Sequence, residues 1–511
     1  MKKFFNTAGP CKADLHYLVK RPAKDLALLK MVDAQKYFVH HAPRQTGKTT
    51  LFLEFCRRLN EEGEFTALYI NVEAAQTTRN KVQECLKAIL NEIQGQQRVH
   101  LPSEERFDTT PIQQSLNENS LNDYLTQWSL QNPKPIVLVI DEIDSLVGDS
   151  LIAILRQIRS GYTNRPKAFP QSIILNGVRD LRDYRIYSKA EDTWLTGGSC
   201  FNIKAESIRL EDFSLEQVED LYSQHSAEHD QGFEKGVVEE IYRLTQGQPW
   251  LCNALGDQLC FHIGKDKSVV SMDDLYAAKE SLILRRDTHI DQLYAKLEED
   301  RIKKIVAPLI RGETPEHISV DDMQYAKDLG ILSSQSKILE IANPIYQEIL
   351  PRELSYPRQM TINEDLPAYL DKGSKLNMQK LMQAFVEFYR ENAHEEFFYK
   401  EITPHILLQA FLQRIINSGG RIEREYALGR KRMDLGVIYK DQKFAIEIKI
   451  KSSEKSREQS LDQVASYMDT LGLKQDGYLC VFDRKFEKSW EERYSWNKVK
   501  HSGKTIQVLE L

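Results

Sequence analysis

Two groups of residues in this 511-residue chain have the types and spacing to do chemistry on phosphates. The first is Thr46-Gly47-Lys48-Thr49, set between an apolar stretch, Tyr37-Phe38-Val39, and a helical pattern running to about Asn60. A bound phosphate needs backbone N–H groups at a helix N-terminus, a flexible glycine turn and one reaching cation. In that role Lys48 reaches the β- and γ-phosphates, and the Thr49 hydroxyl ligates magnesium. The apolar run Ile136-Val137-Leu138-Val139-Ile140 then ends in Asp141-Glu142. A strand tip of this kind places Asp141 to hold the magnesium shell and Glu142 to polarise an attacking water. An intact Glu142 points to hydrolysis, beyond nucleotide binding. Asn176 follows another apolar run, Ser172-Ile173-Ile174-Leu175, as a further polar candidate at a strand end.

The second group lies near the end of the chain. Cleavage by metal-held water needs converging carboxylates and a nearby cation. In Phe444-Ala445-Ile446-Glu447-Ile448-Lys449-Ile450, period-two alternation sends Phe444, Ile446, Ile448 and Ile450 to one face and Ala445, Glu447 and Lys449 to the other. Asp434 stands 13 residues before Glu447, and a turn near Tyr439-Lys440-Asp441-Gln442 would bring its strand alongside.

The elements that must position these residues form several domains. A chain this long exceeds one ordinary core. Strands alternating with helices predict a doubly wound α/β domain over residues 1–212. Helical patterns over 213–298 suit a lid. Short helices followed by Lys337-Ile338-Leu339-Glu340-Ile341 suit a winged-helix module over 299–355. A linker over 356–375 precedes a separate α/β unit, 376–511, whose order reads α-β-β-β-α-β. Residues 96–118, polar and broken by prolines, read as a loop.

Composition is globular, with 41% hydrophobic and 28% charged residues. A net charge of -6 excludes a wholly basic nucleic-acid coat, so nucleic-acid contact must come from a local patch. Arg430, Lys431, Arg432, Lys449, Lys451 and Lys455 supply one. Seven dispersed cysteines with no CxxC pair argue against a disulfide framework or a zinc finger. With no signal-like N-terminus and no long apolar run, a cytoplasmic protein without a membrane span is expected.

The first half resembles the STAND and AAA-related ATPases, close to the AAA-like group. Ala42-Pro43-Arg44-Gln45-Thr46-Gly47-Lys48-Thr49-Thr50 matches that group's P-loop, including alanine in place of the first glycine of the common pattern. Ile140-Asp141-Glu142-Ile143-Asp144 matches its Walker B strand. Gln246-Gly247-Gln248-Pro249-Trp250-Leu251 resembles the lid motif in which the proline, here Pro249, approaches the nucleotide. Phe5-Asn6-Thr7-Ala8-Gly9-Pro10 and His16-Tyr17 resemble the segment covering the base. The resemblance implies ATP and Mg2+ as cofactors, held by residues 43–50 with Asp141, Asn176 and Pro249. Arg179, Arg182 and Arg185 recur at three-residue spacing, either as an arginine finger acting in trans or as a solvated helix face.

The last domain resembles the PD-(D/E)XK nuclease superfamily, a restriction-endonuclease-like fold. Asp434 and Glu447-Ile448-Lys449 match its D…E-x-K set, with Met433 where proline is usual, and Gln463 and Tyr467 match the Q-x-x-x-Y element of RecB-like members. The resemblance implies that Asp434, Glu447 and the Ile448 carbonyl hold magnesium or manganese. It implies that Lys449 orients the attacking water and that Gln463 assists. Glu401, Glu423 and Glu425 are further acidic candidates.

Together these readings predict an ATPase whose nucleotide state controls a metal-dependent nuclease, in the manner of defence systems against foreign nucleic acid. The partners expected are nucleic acid, DNA ahead of RNA, and further copies of the chain, assembled under nucleotide control. The alternative is an ATP switch or DNA-binding regulator that keeps a non-cleaving nuclease fold.

Overall fold

The computed structural model describes residues 2–180, 185–188, 193–196, 201–285, 288–310, 315, 317–350, 366–371, 374–392, 408–409, 411–412, 420–428, 431–450, 454–473, 476–483 and 489–511. They divide into two compact units. The first comprises Met1–Arg285 and Ser319–Ala342, the second Arg286–Ile318 and Asn343–Leu511.

The first unit is built on five parallel strands: β1 (Tyr37–His41), β2 (Thr66–Asn71), β3 (Ile136–Asp141), β4 (Ser172–Gly177) and, after two short hairpin strands, β5 (Arg185–Ser188) and β6 (Thr193–Thr196), β7 (Lys204–Arg209). Their spatial order is β2-β3-β4-β1-β7. Continuous apolar runs suit strands covered on both faces. Val39, Leu68, Ile70, Leu138 and Leu175 pack on one side with the helices Val82–His100, Ser120–Gln131 and Gly148–Gly161. Phe38, Ala67, Val137, Val139 and Ile174 pack on the other with Pro22–Asp33 and Lys48–Glu62. The sheet therefore lies between two helical layers.

Four further helices, Leu215–His229, Val237–Thr245, Pro249–Asp257 and Met272–Arg285, follow the sheet, with a small parallel pair, β8 (Gly232–Phe233) and β9 (Val269–Val270). The N-terminal segment is anchored to this helical region by buried Phe5, whose ring lies 4.9 Å from Tyr17 and 5.1 Å from Tyr222.

The region expected as one winged-helix module is divided between the two units. Residues 337–341 form no continuous strand. Ile341 makes only an isolated antiparallel bridge to Leu332, and Ile338 is exposed, so no continuous ladder follows from the alternation. The helix Val320–Asp328 belongs to the first unit and is capped by Ser319, which accepts from the Asp322 N–H at 3.0 Å. It ends on Asp328, fully buried between Arg179 (3.7 Å) and Arg209 (3.5 Å). Beyond it Gly330 (φ 74°) backs onto the P-loop. A Cβ there would stand 2.9 Å from Pro43.

The second unit holds a six-stranded sheet, β10 (Gly420–Leu428), β11 (Lys431–Tyr439), β12 (Gln442–Ile450), β13 (Gly477–Phe482), β14 (Ser495–His501) and β15 (Lys504–Glu510), ordered β10-β11-β12-β13-β15-β14. The first three strands are antiparallel neighbours. β12, β13 and β15 run parallel, with the helix Glu454–Thr470 bridging β12 and β13. Phe444, Ile446 and Ile448 pack into the core containing the helix Met378–Asn392, whereas Ala445 packs among Val464, Ala465 and Tyr467. The alternation expected for β12 is present, and it gives Glu447 and Lys449 the face of Ala445. Of the helix expected over 404–417, only residues 408–409 and 411–412 are described.

Asp328 is a buried charge on which two arginines close, and removing one partner of a buried ion group leaves the others uncompensated. Asp328→Ala should therefore lower unfolding free energy by about 3 kcal/mol in denaturant titrations. A loss below about 0.5 kcal/mol, the size of a surface substitution, would contradict this reading.

Candidate functional site

The P-loop begins as β1 leaves the sheet. Gly47 adopts φ 87°, a left-handed conformation that side chains resist, while nothing would touch an added Cβ. Conformation, not space, therefore requires glycine here. The helix starting at Lys48 directs its first N–H groups into the loop. Lys48 is buried and donates to the carbonyls of Ala42 (2.8 Å) and Pro43 (2.9 Å). The Thr46 hydroxyl also donates to Pro43 O (2.8 Å), while Arg44 is exposed and Gln45 is half-buried at φ 58°. Burial lowers the Lys48 pKa, opposed by Glu142, Asp141 and Asp144.

Asp141 is fully buried at the tip of β3. Its Oδ2 accepts from Thr49 Oγ1 (2.9 Å) and Tyr69 Oη (2.5 Å). Its Oδ1 accepts from the Glu142 N–H (2.8 Å) and from Asn176 Nδ2. Asn176 in turn accepts from His40 through Oδ1 (2.8 Å). This direction follows because the amide nitrogen of Asn176 already serves Asp141. Burial pushes His40 down to about 3, so it is neutral and carries its proton on Nδ1. Glu142 sits at φ 57°, turned out of the strand. Burial, reinforced by Asp144 and Asp141 and opposed by Lys48 and Arg44, raises its carboxyl above the usual range. That direction suits a proton acceptor.

Ammonium, hydroxyl, carboxylate and a raised glutamate thus converge at one end of the sheet. This donor set fits a magnesium–nucleotide, with Lys48 on phosphate, Thr49 on the metal and Asp141 behind its shell. Asn176 lies in this row, but its described partners are Asp141 and His40. Sequence reasoning missed Tyr69 and His40. Their only signal was position, two residues before the end of β2 and beside the P-loop.

The segment before Pro22 ties the P-loop helix to the helical region. The Cys11 N–H donates to Thr50 Oγ1 (2.9 Å), and Trp250 Nε1 donates to Thr7 O (2.9 Å). Pro249 is buried at the first turn of its helix, which Gln248 caps by accepting from the Leu251 N–H (2.6 Å). Gly247 (φ 75°) lies so close to Phe213 that a Cβ would fall 1.9 Å from its carbonyl oxygen.

Arg179 pairs with Asp328 of its own chain and stacks 4.8 Å from the Tyr325 ring. Arg182 and the Arg185 side chain lie outside the described residues, and Arg185 opens β5. Of the two readings open for these arginines, a solvated helix face does not describe Arg179, and the arginine finger acting in trans stays a proposal.

In the second unit Glu447 is buried, and its Oε1 stands 2.6 Å from Lys449 Nζ. Leu435 pairs with Ile446 across the antiparallel ladder. The paired register between these strands ends there, one residue short of position 434 and of Glu447. The Asp434 side chain lies outside the described residues, as do those of Glu423 and Glu425 and all of Glu401. Ile448 is buried in the opposite-face core. Gln463 is half-buried on the helix Glu454–Thr470, one turn from buried Tyr467. That helix covers the face of Ala445. Among the described residues no group of three or more acidic, histidine or cysteine side chains is arranged to hold a metal. No helix among them is long and apolar enough to cross a membrane.

The parallel sheet, its P-loop and the acidic strand tip define a P-loop ATPase of the AAA-like class. The chain belongs to the family of the AAA-like domain, whose model matches residues 6–351. A domain of unknown function (DUF8371) matches residues 377–485. No curated protein matches the chain. Among solved structures, a Walker-type ATPase of Pyrococcus abyssi is 16% identical, covering 68% of this chain and 99% of its own, with a TM-score of 0.47. The ORC2 protein of Aeropyrum pernix, solved in ADPNP–ADP complexes, is 13% identical over 68% and 96%, with a TM-score of 0.38. The RuvB Holliday junction branch migration motor of Thermotoga maritima is 12% identical over 65% and 95%, with a TM-score of 0.35.

Two substitutions separate binding from turnover at the P-loop. Lys48→Ala should abolish ATP binding in calorimetry. Glu142→Gln should leave binding within about threefold while cutting turnover by at least two orders of magnitude, the usual contribution of a positioned base. Equal turnover in Glu142→Gln would refute the role given to Glu142.

Proposed function

We propose that this chain is an ATP-hydrolysing switch controlling a metal-dependent nuclease carried in its second unit. ATP and Mg2+ bind at residues 43–50 with Asp141, and Glu142 activates the water. Asn176 monitors the nucleotide through its bond to Asp141, and Pro249 carries the change into the helical region. The nuclease centre comprises Asp434, Glu447, Lys449 and Gln463, with magnesium or manganese held by both carboxylates and the Ile448 carbonyl.

The observation that carries the nuclease reading is the burial of Glu447 against Lys449. A carboxylate placed at a sheet face beneath a helix is costly unless it is paired or holds a metal. The antiparallel pairing of β11 with β12, which runs up to Leu435 and Ile446, supports the assignment by making the strands of Asp434 and Glu447 neighbours. A metal would draw Glu447 off Lys449 and free the ammonium for the attacking water or the developing phosphorane charge. The substrate is nucleic acid, DNA ahead of RNA, and the setting proposed is cytoplasmic defence against foreign nucleic acid.

Chain connectivity supports control by nucleotide. The segment Ser319–Ala342, which packs Gly330 on Pro43 of the P-loop, is joined at both ends to segments of the second unit. A P-loop that changes shape on binding phosphate therefore pulls on both junctions. Assembly into a homo-oligomer under the same control belongs to this proposal.

A second reading is a nuclease fold retained for binding alone. The Glu447–Lys449 contact at 2.6 Å favours it, because a structural ion pair closes in the same way.

Purified protein incubated with DNA and with RNA, in Mg2+ or Mn2+, distinguishes the two readings. Cutting should respond to ATP and disappear in Glu447→Ala and Lys449→Ala. Cutting that survives both substitutions would overturn the assignment, and nucleic-acid binding without cutting would establish the second reading.

A further inference from the structure

Asp141 has two oxygens and about four lone-pair directions to offer. Four donors of the protein approach them: Thr49 and Tyr69 at Oδ2, Asn176 and the Glu142 N–H at Oδ1. The proposal that follows rests on the P-loop reading above, in which this carboxylate backs a magnesium shell. Magnesium keeps several waters and prefers octahedral geometry, so a shell water must donate to Asp141 for the carboxylate to serve it. One of the four donors must then leave.

Three of them are held in place. The Glu142 N–H is the next peptide of the chain. Asn176 is fully buried and gripped from behind by His40, itself fully buried edge-on to Phe52 at 4.8 Å. Thr49 can keep its proton on Asp141 while a lone pair of the same oxygen binds the metal. Tyr69 is half-buried, as Thr49 and Glu142 also are, but of the four it is the donor on a long side chain that swings about two torsions.

We propose that Tyr69 is a positioning residue that occupies, on Asp141 Oδ2, the place of a magnesium-shell water. Its phenol keeps the carboxylate fully hydrogen-bonded and withdraws when metal–nucleotide arrives. Tyr69 therefore opposes metal binding and sets the magnesium concentration at which the site loads. His40 does the converse work, fixing the Asn176 amide so that its nitrogen, not its oxygen, faces Asp141.

The test uses the full chain and Tyr69→Phe, which keeps the ring and removes the hydroxyl. A fluorescent ADP analogue titrated in EDTA measures nucleotide binding without metal. Mn2+ titrated in the presence of ADP and followed by electron paramagnetic resonance measures metal affinity. Tyr69→Phe should bind the analogue as wild type does. It should bind Mn2+ about tenfold more tightly, the lower end of the scale of one hydrogen bond to a charged group. Unchanged or weaker Mn2+ binding with intact nucleotide binding would overturn the role of Tyr69 alone. Failure of wild type to bind the analogue would overturn the P-loop reading on which it rests.

Discussion

A single buried carboxylate organises the first unit. The strand order β1-β4-β3-β2 at the carboxyl end of the sheet becomes a row of side chains, His40, Asn176, Asp141 and Tyr69, one from each neighbouring strand. Register enforces this row: His40 pairs with Asn176 across β1 and β4, and Ile140 pairs with Leu175 just before Asp141 meets Asn176. A charge at zero exposure is tolerable only when its acceptors are filled. The P-loop reaches the row from one side through Thr49. Whatever binds at Lys48 is therefore felt at the centre of the sheet.

The second unit uses the same economy on a mixed sheet. One face of β12 is consumed by core packing, and the other carries Glu447 and Lys449 beneath a helix. The central position of β12, with antiparallel β11 on one side and parallel β13 on the other, fixes that pair firmly while leaving Lys449 partly open to solvent. The nuclease proposal rests on this buried carboxylate beside a half-exposed cation.

Much of this was legible in the sequence because burial on both faces leaves an unbroken apolar run. Ile136–Ile140 and Ser172–Leu175 announce their strands, and Gly47 marks the loop between β1 and its helix. Phe444 to Lys449 declares its alternation. The edges were harder. β14 is half exposed and reads Ser-Trp-Asn-Lys-Val-Lys-His, with lysines guarding an edge strand, and it went unread with its partner β15. The turn between them, Ser502-Gly503, carries the positive φ angles typical of a tight hairpin and was the available signal. Residues 96–118 gave the opposite error: the helix Val82–His100 runs into them, because Ile89, Ile93 and Gln97 continue its buried face despite a polar composition. Tyr69 and His40 were invisible as functional residues because their importance lies in cross-strand neighbours, which no local pattern reports.

Anomalous diffraction tests most directly the proposal that one chain carries two metal-dependent phosphate centres. Crystals grown with ADP and Mn2+ should show one peak beside Thr49 and another between Asp434 and Glu447, with Lys449 drawn away from Glu447. A filled P-loop accompanied by Glu447 still closed on Lys449, with no peak between the strands, would contradict it.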